Sequence, residues 1–306
     1  MKVSIVTPTL AFDQPLREAR ASVERQTRDV EIEHIIVVDD PSVAMMPDEK
    51  RSNVSTYFVR NMHPKGPGGA RNTALDLATG EFVFFLDADD IWNDEHIAQI
   101  MSIFAAQPDV HCVSVAGVSF GQDVSRPRVN IPVLSDGAIP RISVAWNPVG
   151  CPSGFSYRRD AKTRAVRFKD AIYFQDLLFY LELLSHDAIF WRHRELHFWY
   201  RKSPGQLTSV ISTDKVRHSK QLVEHCLAKW QGAGLSTFEA QVASVQIKRL
   251  SAARIGRRDY ANTLLLCIIA PVWVIGQARR MLENFRIGRN EPSHHPSENP
   301  SLGTGS

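Results

Sequence analysis

The most constraining feature of this sequence is a short apolar segment that runs directly into a cluster of acidic residues. Residues 82–86 contain no polar side chain and are followed by Asp87-Ala88-Asp89-Asp90. A continuous apolar run of this length is typical of a strand that is covered on both faces. Crowded carboxylates repel one another, so Asp87 and Asp89 favour a site for a hard cation such as Mg²⁺ or Mn²⁺. The alternative is a cap for the next helix, which suits Asp90 or Asp94 better.

Strand and helix patterns alternate through the first hundred residues. Strands are predicted at residues 3–7, 34–38, 56–59 and 82–86, and helices are predicted after Asp13, over residues 70–78 and after Asp94. This alternation with short connections indicates an α/β fold in which a mostly parallel central sheet is flanked by helices. In such sheets ligands bind beyond the carboxyl ends of the strands, which is where the acidic and glycine-rich segments fall.

Two further segments at predicted strand ends carry polar groups suited to a nucleotide. Asp39 and Asp40 follow the second strand, where a carboxylate can accept hydrogen bonds from a nucleobase or a ribose hydroxyl. A turn-forming role before Pro41 is an equal alternative. In residues 66–72, GPGGARN, the glycines let the backbone approach a ligand, and Arg71 can pair with phosphate or stack on a base. The segment matches neither of the common glycine-rich phosphate motifs.

The composition is that of an ordinary globular protein and argues against a nucleic-acid-binding, cysteine-zinc or disulfide-stabilised protein. Apolar residues make up 43% and charged residues 23% of the 306 residues, which is the balance of an ordinary globular chain. The net charge of +3 gives no general attraction for nucleic acid, so no nucleic-acid partner is expected. The four cysteines are far apart and form no Cys-x-x-Cys pair, which indicates neither a cysteine zinc site nor a disulfide framework and favours a reducing, cytoplasmic location.

The order and combination of these motifs resemble the family-2 glycosyltransferases, inverting enzymes of the GT-A fold. The resemblance is carried by a first strand that ends in Thr-Pro-Thr, the Asp-Asp pair, the glycine-rich turn with its arginine, and the apolar strand that ends in Asp-Ala-Asp-Asp. It is close over residues 3–95, looser over residues 150–205 and absent from residues 206–306. It implies a GT-A catalytic domain over residues 1–205.

For donor binding, the resemblance implies a role for each matching residue near the nucleotide. Pro8 and Thr9 would line the nucleotide pocket. Asp40 would bind the base, with Asp39 beside it. Arg71 would contact the nucleotide.

For catalysis, the resemblance assigns roles to residues further along the chain. Asp87 would lie near the ribose, and Asp89 would hold Mg²⁺ or Mn²⁺ on the diphosphate. Gly154 would allow close approach of the donor sugar, and Asp176 would be the general base. Tyr200-Arg201 resembles the pair that closes the catalytic domain.

Two positions depart from the pattern that the family commonly has. Pro41 follows the Asp-Asp pair where the family commonly has Gly or Ala, which stiffens that turn. Gln175 replaces a glutamate beside the presumed base, and the removal of one negative charge favours the ionised form of Asp176 that a general base needs.

The expected activity is metal-dependent, inverting transfer of a sugar from a nucleotide-diphosphate donor to the hydroxyl of a glycan or lipid-linked acceptor, as in polysaccharide biosynthesis. Uridine is the family's commonest base. One alternative is a sugar-1-phosphate nucleotidyltransferase, although the glycine-rich basic signature such enzymes carry after the first strand is absent here. The other alternative is a relative that binds sugar nucleotides or glycans without transfer.

The second half of the chain is organised differently. Residues 188–192 and 196–201 are predicted to be two strands joined by a tight turn. A helical extension is predicted over residues 206–286, followed by a disordered tail over residues 287–306 that is rich in Pro, Ser, Gly and His.

Within the extension, residues 264–276 form an apolar segment in a basic section of the chain. Residues 241–289 hold nine Lys or Arg and two Asp or Glu. The apolar segment is too short to span a membrane. A buried core helix and a helix lying on an anionic membrane surface, peripheral to the inner face, are the two interpretations that remain open.

Overall fold

The computed structural model describes residues 1–26, 30–121, 128–129, 136–144, 149–203, 212–254 and 259–269. The strands in these ranges are β1 Lys2–Thr9, β2 Glu31–Val38, β3 Glu49–Arg51, β4 Val54–Arg60, β5 Phe82–Phe85, β6 Ile91–Trp92, β7 Cys112–Phe120, β8 Arg128–Val129, β9 Gly137–Ile139, β10 Phe155–Arg158 and β11 Phe190–Arg201. The helices are α1 Gln14–Glu24, α2 Pro67–Leu77, α3 His96–Ala106, α4 Arg141–Val144, α5 Gln175–Ser185, α6 Thr213–Trp230, α7 Thr237–Arg254 and α8 Tyr260–Ile269.

All of these strands belong to one mixed sheet, whose main path runs in the order β3-β4-β2-β1-β5-β10-β7-β11-β6. The three longest pairings, β1 with β2, β2 with β4 and β7 with β11, are parallel. Strand β10 lies antiparallel between β5 and β7 and joins the parallel N-terminal half to the second half. The predicted central sheet flanked by helices is therefore present, with antiparallel strands added on its far side.

Alternate residues of the central strands pack against helices on opposite faces of the sheet. Val6 and Phe85 lie in a cluster that includes α2, α5, α6 and α7, whereas Ile5 and Phe84 lie in a cluster that includes α1 and α3. This period-2 alternation explains why β5 carries apolar residues on both faces.

The predicted aspartate cap at Asp13 is present, and the one at Asp94 is not. Asp13 caps α1, and its carboxylate accepts a hydrogen bond from the backbone N–H of Leu16 at 3.1 Å. The prediction for Asp94 is wrong, because α3 begins at His96, with Glu95 at the N-cap and no side-chain capping hydrogen bond. Asp94 instead forms an ion pair with Arg25 at 3.1 Å.

The predicted pair of strands over residues 188–201 is also wrong, because β11 is one continuous strand. Residues 194, 195 and 197 have no partner residue on β7, so the pairing register shifts twice. The polar residues predicted to form a turn therefore form a bulge. Leu196, between them, is paired with Ala116 and packs against the small cluster that Ala116 forms with Val129.

The helices after residue 212 share a hydrophobic core with the sheet. Val223 and Trp230 of α6 and Val242 of α7 lie in the same apolar cluster as Leu177 of α5 and Val83 of β5. The predicted boundary near residue 205 falls in residues 204–211, and the predicted tail falls in residues 270–306; both lie outside the described residues. Within the described ranges, no helix combines the length and apolar character that crossing a membrane requires.

Candidate active site

The carboxyl ends of β1, β2 and β5 bring the predicted donor-binding residues to one edge of the sheet. The backbone N–H of Asp39 donates to the carbonyl of Thr9 at 2.9 Å, and the N–H of Leu86 donates to the carbonyl of Val6 at 3.0 Å. Pro8 and Thr9 therefore lie at the same level as the Asp-Asp pair and the start of the acidic turn. This is the edge at which open α/β sheets bind ligands.

Asp39 fixes the glycine-rich turn. Its carboxylate accepts a hydrogen bond from the backbone N–H of Gly66 at 2.9 Å and another from Asn61 Nδ2 at 2.5 Å. Gly66 has a φ of +133°, a conformation that side-chain-bearing residues rarely adopt. Asp39 therefore orients the N-terminus of α2, on which Arg71 is carried.

Asp40 forms a local turn. Its Oδ1 accepts hydrogen bonds from the backbone N–H and the Oγ of Ser42, at 2.9 and 2.7 Å, and these bonds lower the pKa of Asp40. Oδ2 accepts no hydrogen bond from the described residues. The turn-forming interpretation of Asp40 is thus realised.

Arg71 is nearly buried and connects two predicted site segments. Its Nη2 donates to Asp87 Oδ1 at 2.5 Å, and its guanidinium lies 5.3 Å from the centre of the Phe168 ring. Among the described residues, its buried Nε has no hydrogen-bond partner. The guanidinium is therefore held in place by a carboxylate and an aromatic ring at the strand-end edge.

The acidic turn after β5 has a buried anchor that the sequence did not reveal. Asp90 is fully buried, and its carboxylate accepts hydrogen bonds from Ser153 Oγ at 2.5 Å and from the backbone N–H of Arg201 at 3.0 Å. Burial, followed by the charges of Asp89 and Asp87, raises the pKa of Asp90 well above its ordinary value. Asp90 was expected at most to cap a helix; instead it ties three segments together.

Ser153 and Gly154 bring the third segment of the site against the acidic turn. Ser153 Oγ accepts a hydrogen bond from the backbone N–H of Asp87 at 3.0 Å. A Cβ atom at Gly154 would lie 2.7 Å from the carbonyl oxygen of Val115 and 2.7 Å from the Phe198 ring. Close packing against β7 and β11 therefore requires glycine at position 154, independently of any ligand.

Asp176 lies in the first turn of α5, where the helix dipole favours a negative charge. Its Oδ1 accepts a hydrogen bond from the N–H of Leu177 at 2.9 Å. Phe174, at the N-cap, has a φ of +63°, which is uncommon outside glycine. Gln175 is buried against the glycine-rich turn, since a Cβ at Gly68 would lie 2.7 Å from its Oε1.

The charges of Asp176 and of the acidic turn both act on the Cys151 thiol and the Tyr180 phenol. Burial and then the carboxylates of Asp90, Asp87 and Asp176 raise the pKa of the Cys151 thiol. Burial, followed by Asp176 and Cys151, also raises the pKa of the Tyr180 phenol, and Asp87 contributes. The start of α2 lies between the acidic turn and the start of α5, since Arg71 donates to Asp87 and Gln175 packs against Gly68.

Arg201, at the end of β11, holds the acidic turn from the other side. Its Nε donates to the carbonyl of Asp89 at 2.8 Å, and its Nη2 donates to the carboxylate of Glu18 on α1. Its guanidinium lies 4.5 Å from the centre of the Phe120 ring. Arg201 therefore positions the backbone of Asp89.

This mixed sheet, with helices on both faces and a carboxylate cluster at its strand ends, is the GT-A fold of glycosyltransferases. Residues 4–164 match the sequence model of the family described as Glycosyl transferase family 2, which covers more than half of the chain. The chain belongs to family 2 of the glycosyltransferases.

Two curated relatives and one solved structure illustrate the similarity. The succinoglycan biosynthesis protein ExoW of Rhizobium meliloti is 40% identical over 129 residues, which are 38% of each chain. The UDP-Glc:alpha-D-GlcNAc-diphosphoundecaprenol beta-1,3-glucosyltransferase WfgD of Escherichia coli is 36% identical over 96 residues, 29% of this chain and 36% of WfgD. The chain spans about half, or less, of the length of the curated relatives it matches.

The solved structure is that of TarS from Staphylococcus aureus in complex with UDP-GlcNAc. It superposes with a TM-score of 0.65 over 83% of this chain and 73% of the TarS chain, at 16% sequence identity. Identity at this level shows a common fold. It assigns no ligand to this chain.

Proposed function

We propose that this protein is an inverting glycosyltransferase that transfers a sugar from a UDP-sugar to a hydroxyl of a glycan or lipid-linked acceptor. The observation that carries the proposal is that α2 contacts two other segments of the candidate site. Arg71 donates to Asp87 of the acidic turn, and Gln175, the neighbour of Asp176, packs against Gly68. The names of the relatives, which include a lipid-linked acceptor and a UDP-sugar, support the substrate classes.

Donor binding would use the edge formed by β1, β2 and α2. The open Oδ2 of Asp40 would accept a hydrogen bond from the base, and Pro8 and Thr9 would line the same pocket. The side chain of Arg71, held by Asp87, would donate to the nucleotide from the N-terminal turns of α2.

The acidic turn suits a divalent cation. Three of its four residues are aspartates, and burial followed by the charges of Asp89 and Asp87 raises the pKa of Asp90. An all-oxygen donor set fits Mg²⁺ or Mn²⁺, and Asp89 would hold the ion with Asp87 near the ribose. Such a cation, when bound, would neutralise charge on the leaving diphosphate.

The general base would be Asp176. Its position in the first turn of α5 favours the ionised carboxylate, and the neutral Gln175 beside it adds no repulsion. Tyr180, one helical turn after Asp176, is fully buried, so water would be limited on that side of the carboxylate. Asp176 would take the proton from the acceptor hydroxyl on the face opposite the leaving group.

Calorimetric titration with UDP-sugars, with and without Mn²⁺, tests the proposal. We expect Asp89→Ala to lose the Mn²⁺-dependent part of donor affinity and Asp176→Asn to keep donor affinity while losing transfer by about 10²–10⁴-fold. The control is Asp214→Ala, at a carboxylate with 87% side-chain exposure on α6. Undiminished donor affinity in Asp89→Ala would contradict the metal role, and near-normal transfer by Asp176→Asn would place the base elsewhere.

We further propose that α8 contacts an anionic membrane surface. Leu264 and Leu265 are 64% and 40% exposed, in a section of the sequence that carries excess positive charge. At the boundary between lipid headgroups and acyl chains, burial of the leucine side chains and attraction of the basic residues to anionic headgroups would both favour binding.

Co-sedimentation with vesicles that contain phosphatidylserine tests this contact. We expect the full chain to sediment at low salt and the double substitution Leu264→Ser, Leu265→Ser to remain in the supernatant. Leu77→Ser, at a leucine of similar exposure on α2, is the matched control. Full-length protein that stays in the supernatant at low salt would refute the contact.

A further inference from the structure

The bulge in β11 gathers three metal-ligating side chains, none of which belongs to the acidic turn. His193, Glu195 and His197 alternate along the strand, and residues 194, 195 and 197 are those without partners on β7. One ligand atom from each of the three side chains lies within 4.8 Å of the other two. Bulges commonly redirect side chains in this way and are retained where the redirected group has a use.

The two imidazoles are spaced as ligands of one ion would be. The ring centres of His193 and His197 are 5.0 Å apart, with 56° between the ring planes. Two imidazoles on one tetrahedral Zn²⁺, at Zn–N distances of about 2.0–2.1 Å, have ring centres about 5 Å apart. His193 Nε2 also lies 3.8 Å from Glu195 Oε2.

A carboxylate behind His193 fixes that ring. Asp136 Oδ1 lies 2.7 Å from His193 Nδ1, which leaves Nε2 directed to the ligand side. Asp136 is itself held by a hydrogen bond from the backbone N–H of Arg194 at 2.9 Å. A carboxylate on the second nitrogen of a histidine is the usual support for a histidine that binds metal.

His197 supplies an independent indication that a ligand belongs here. The side chain is fully buried, and neither ring nitrogen has a hydrogen-bond partner in the part of the chain that the structure describes. A buried imidazole without a partner is costly, because burial removes its hydrogen bonds to water. A metal ion would satisfy one of these two nitrogens.

We propose that His193, Glu195 and His197 form a Zn²⁺ site, with Asp136 as the positioning residue. Two imidazoles and one carboxylate favour Zn²⁺, whereas the oxygen-only acidic turn favours Mg²⁺ or Mn²⁺. The two sites have no residue in common. Bound Zn²⁺ clamps the bulge of β11, the strand whose far end carries Arg201 against Asp89.

Zinc titration of the metal-stripped full chain tests the site. All proteins carry His294→Ala and His295→Ala, so that the tail histidines do not bind the ion, and excess Mg²⁺ occupies the acidic turn. We expect one Zn²⁺ per chain, a rise in thermal midpoint with Zn²⁺, and a tetrahedral absorption spectrum with Co²⁺.

The variants separate this site from other binding. His193→Ala and Glu195→Gln, at partly exposed positions, are expected to reduce Zn²⁺ affinity by at least about 10-fold, and Asp136→Asn by about 10–100-fold. His225→Ala, at an exposed histidine on α6, and Asp89→Ala are expected to keep the affinity of the parent. Parent-like stoichiometry and affinity in both His193→Ala and Glu195→Gln would overturn the proposal. Failure of the parent to bind micromolar Zn²⁺ would overturn it as well.

Discussion

Glu33 is a buried carboxylate that joins three segments at the amino edge of the sheet. It accepts hydrogen bonds from Ser4 Oγ, from the backbone N–H and Oγ1 of Thr79, and from the N–H of Gly80, and Lys2 Nζ lies 2.8 Å away. Burial by itself raises the pKa of Glu33, but the hydrogen bonds from Lys2, Ser4 and Thr79 outweigh it and lower this pKa to about 2. The ionised form is therefore part of the folded structure.

The substitution Glu33→Gln is expected to lower the free energy of unfolding by about 2–3 kcal/mol at neutral pH. Because the folded-state pKa lies below the unfolded value, the charge stabilises above the ordinary pKa of 4.5, and this stabilisation is lost as the pH falls through about 2. The difference between the two proteins should shrink as the pH falls below about 4.5. Urea denaturation at several pH values measures it.

The matched control for this prediction is Glu31→Gln. Glu31 is also near Lys2, at 3.7 Å, but its side chain is 66% exposed. We expect it to change stability little at any pH, because exposed ion pairs contribute little. A pH-independent difference between wild type and Glu33→Gln would show that the ionised carboxylate is not the stabilising group.

At the scale of elements, close packing of β7, β10 and β11 determines where the site segments lie. A Cβ at Gly117 of β7 would lie 2.4 Å from Cζ of Phe198, and its three nearest atoms all belong to that ring. Phe198 also blocks a side chain at Gly154, next to Ser153 of the site. One aromatic ring therefore sets the distance between β11 and the segment that contacts the acidic turn.

A double-mutant cycle tests this packing. Gly117→Ala alone is expected to destabilise the protein by about 1–3 kcal/mol, because the new methyl group overlaps the ring. The same substitution should cost much less in a Phe198→Leu background, which gives a coupling energy of about 0.5–3 kcal/mol. Chemical denaturation of the four proteins measures it. Additive effects would mean that other atoms limit position 117.

At the scale of the whole molecule, the C-terminal helices share a hydrophobic core with the sheet. Trp230 of α6 is 6% exposed in the cluster that includes β5, and Lys169 Nζ lies 5.9 Å from the centre of its ring. Arg141 of α4 adds an ion pair to Glu239 of α7 at 2.9 Å. A continuous core of this kind favours a single unfolding transition.

Trp230→Ala is accordingly expected to destabilise the whole molecule by about 3–5 kcal/mol while leaving one transition. Circular dichroism, together with hydrogen exchange at the amides of β1 and β5, measures both quantities. Phe238→Ala, at a ring 49% exposed on α7, should change stability by no more than about 0.5 kcal/mol. Unchanged protection of β1 and β5 in Trp230→Ala would show that the helices unfold independently.

Local sequence determined the parallel half of the sheet and the placement of the donor-side residues. Mainly apolar segments that are buried on both faces specify β1, β2 and β5, an alternating pattern specifies β4, and Asp13 specifies the start of α1. Residues that end parallel neighbouring strands must meet at one edge, so the neighbourhood of Thr9, Asp39 and Asp87 follows from strand order alone. These features depend on short-range patterns, which the sequence carries explicitly.

Tertiary structure alone decided the roles of Asp90, Ser153 and the bulge of β11. Asp90 and Ser153 are 63 positions apart in the chain, and Asp90 and Arg201 are 111 positions apart. No local sequence pattern therefore predicts their hydrogen bonds. The residues that looked like a turn, Arg194 and Glu195, became a bulge because β11 pairs with β7, roughly eighty positions earlier. Pairing between distant strands sets register and burial, and these determine which polar side chains become anchors, ligands or surface.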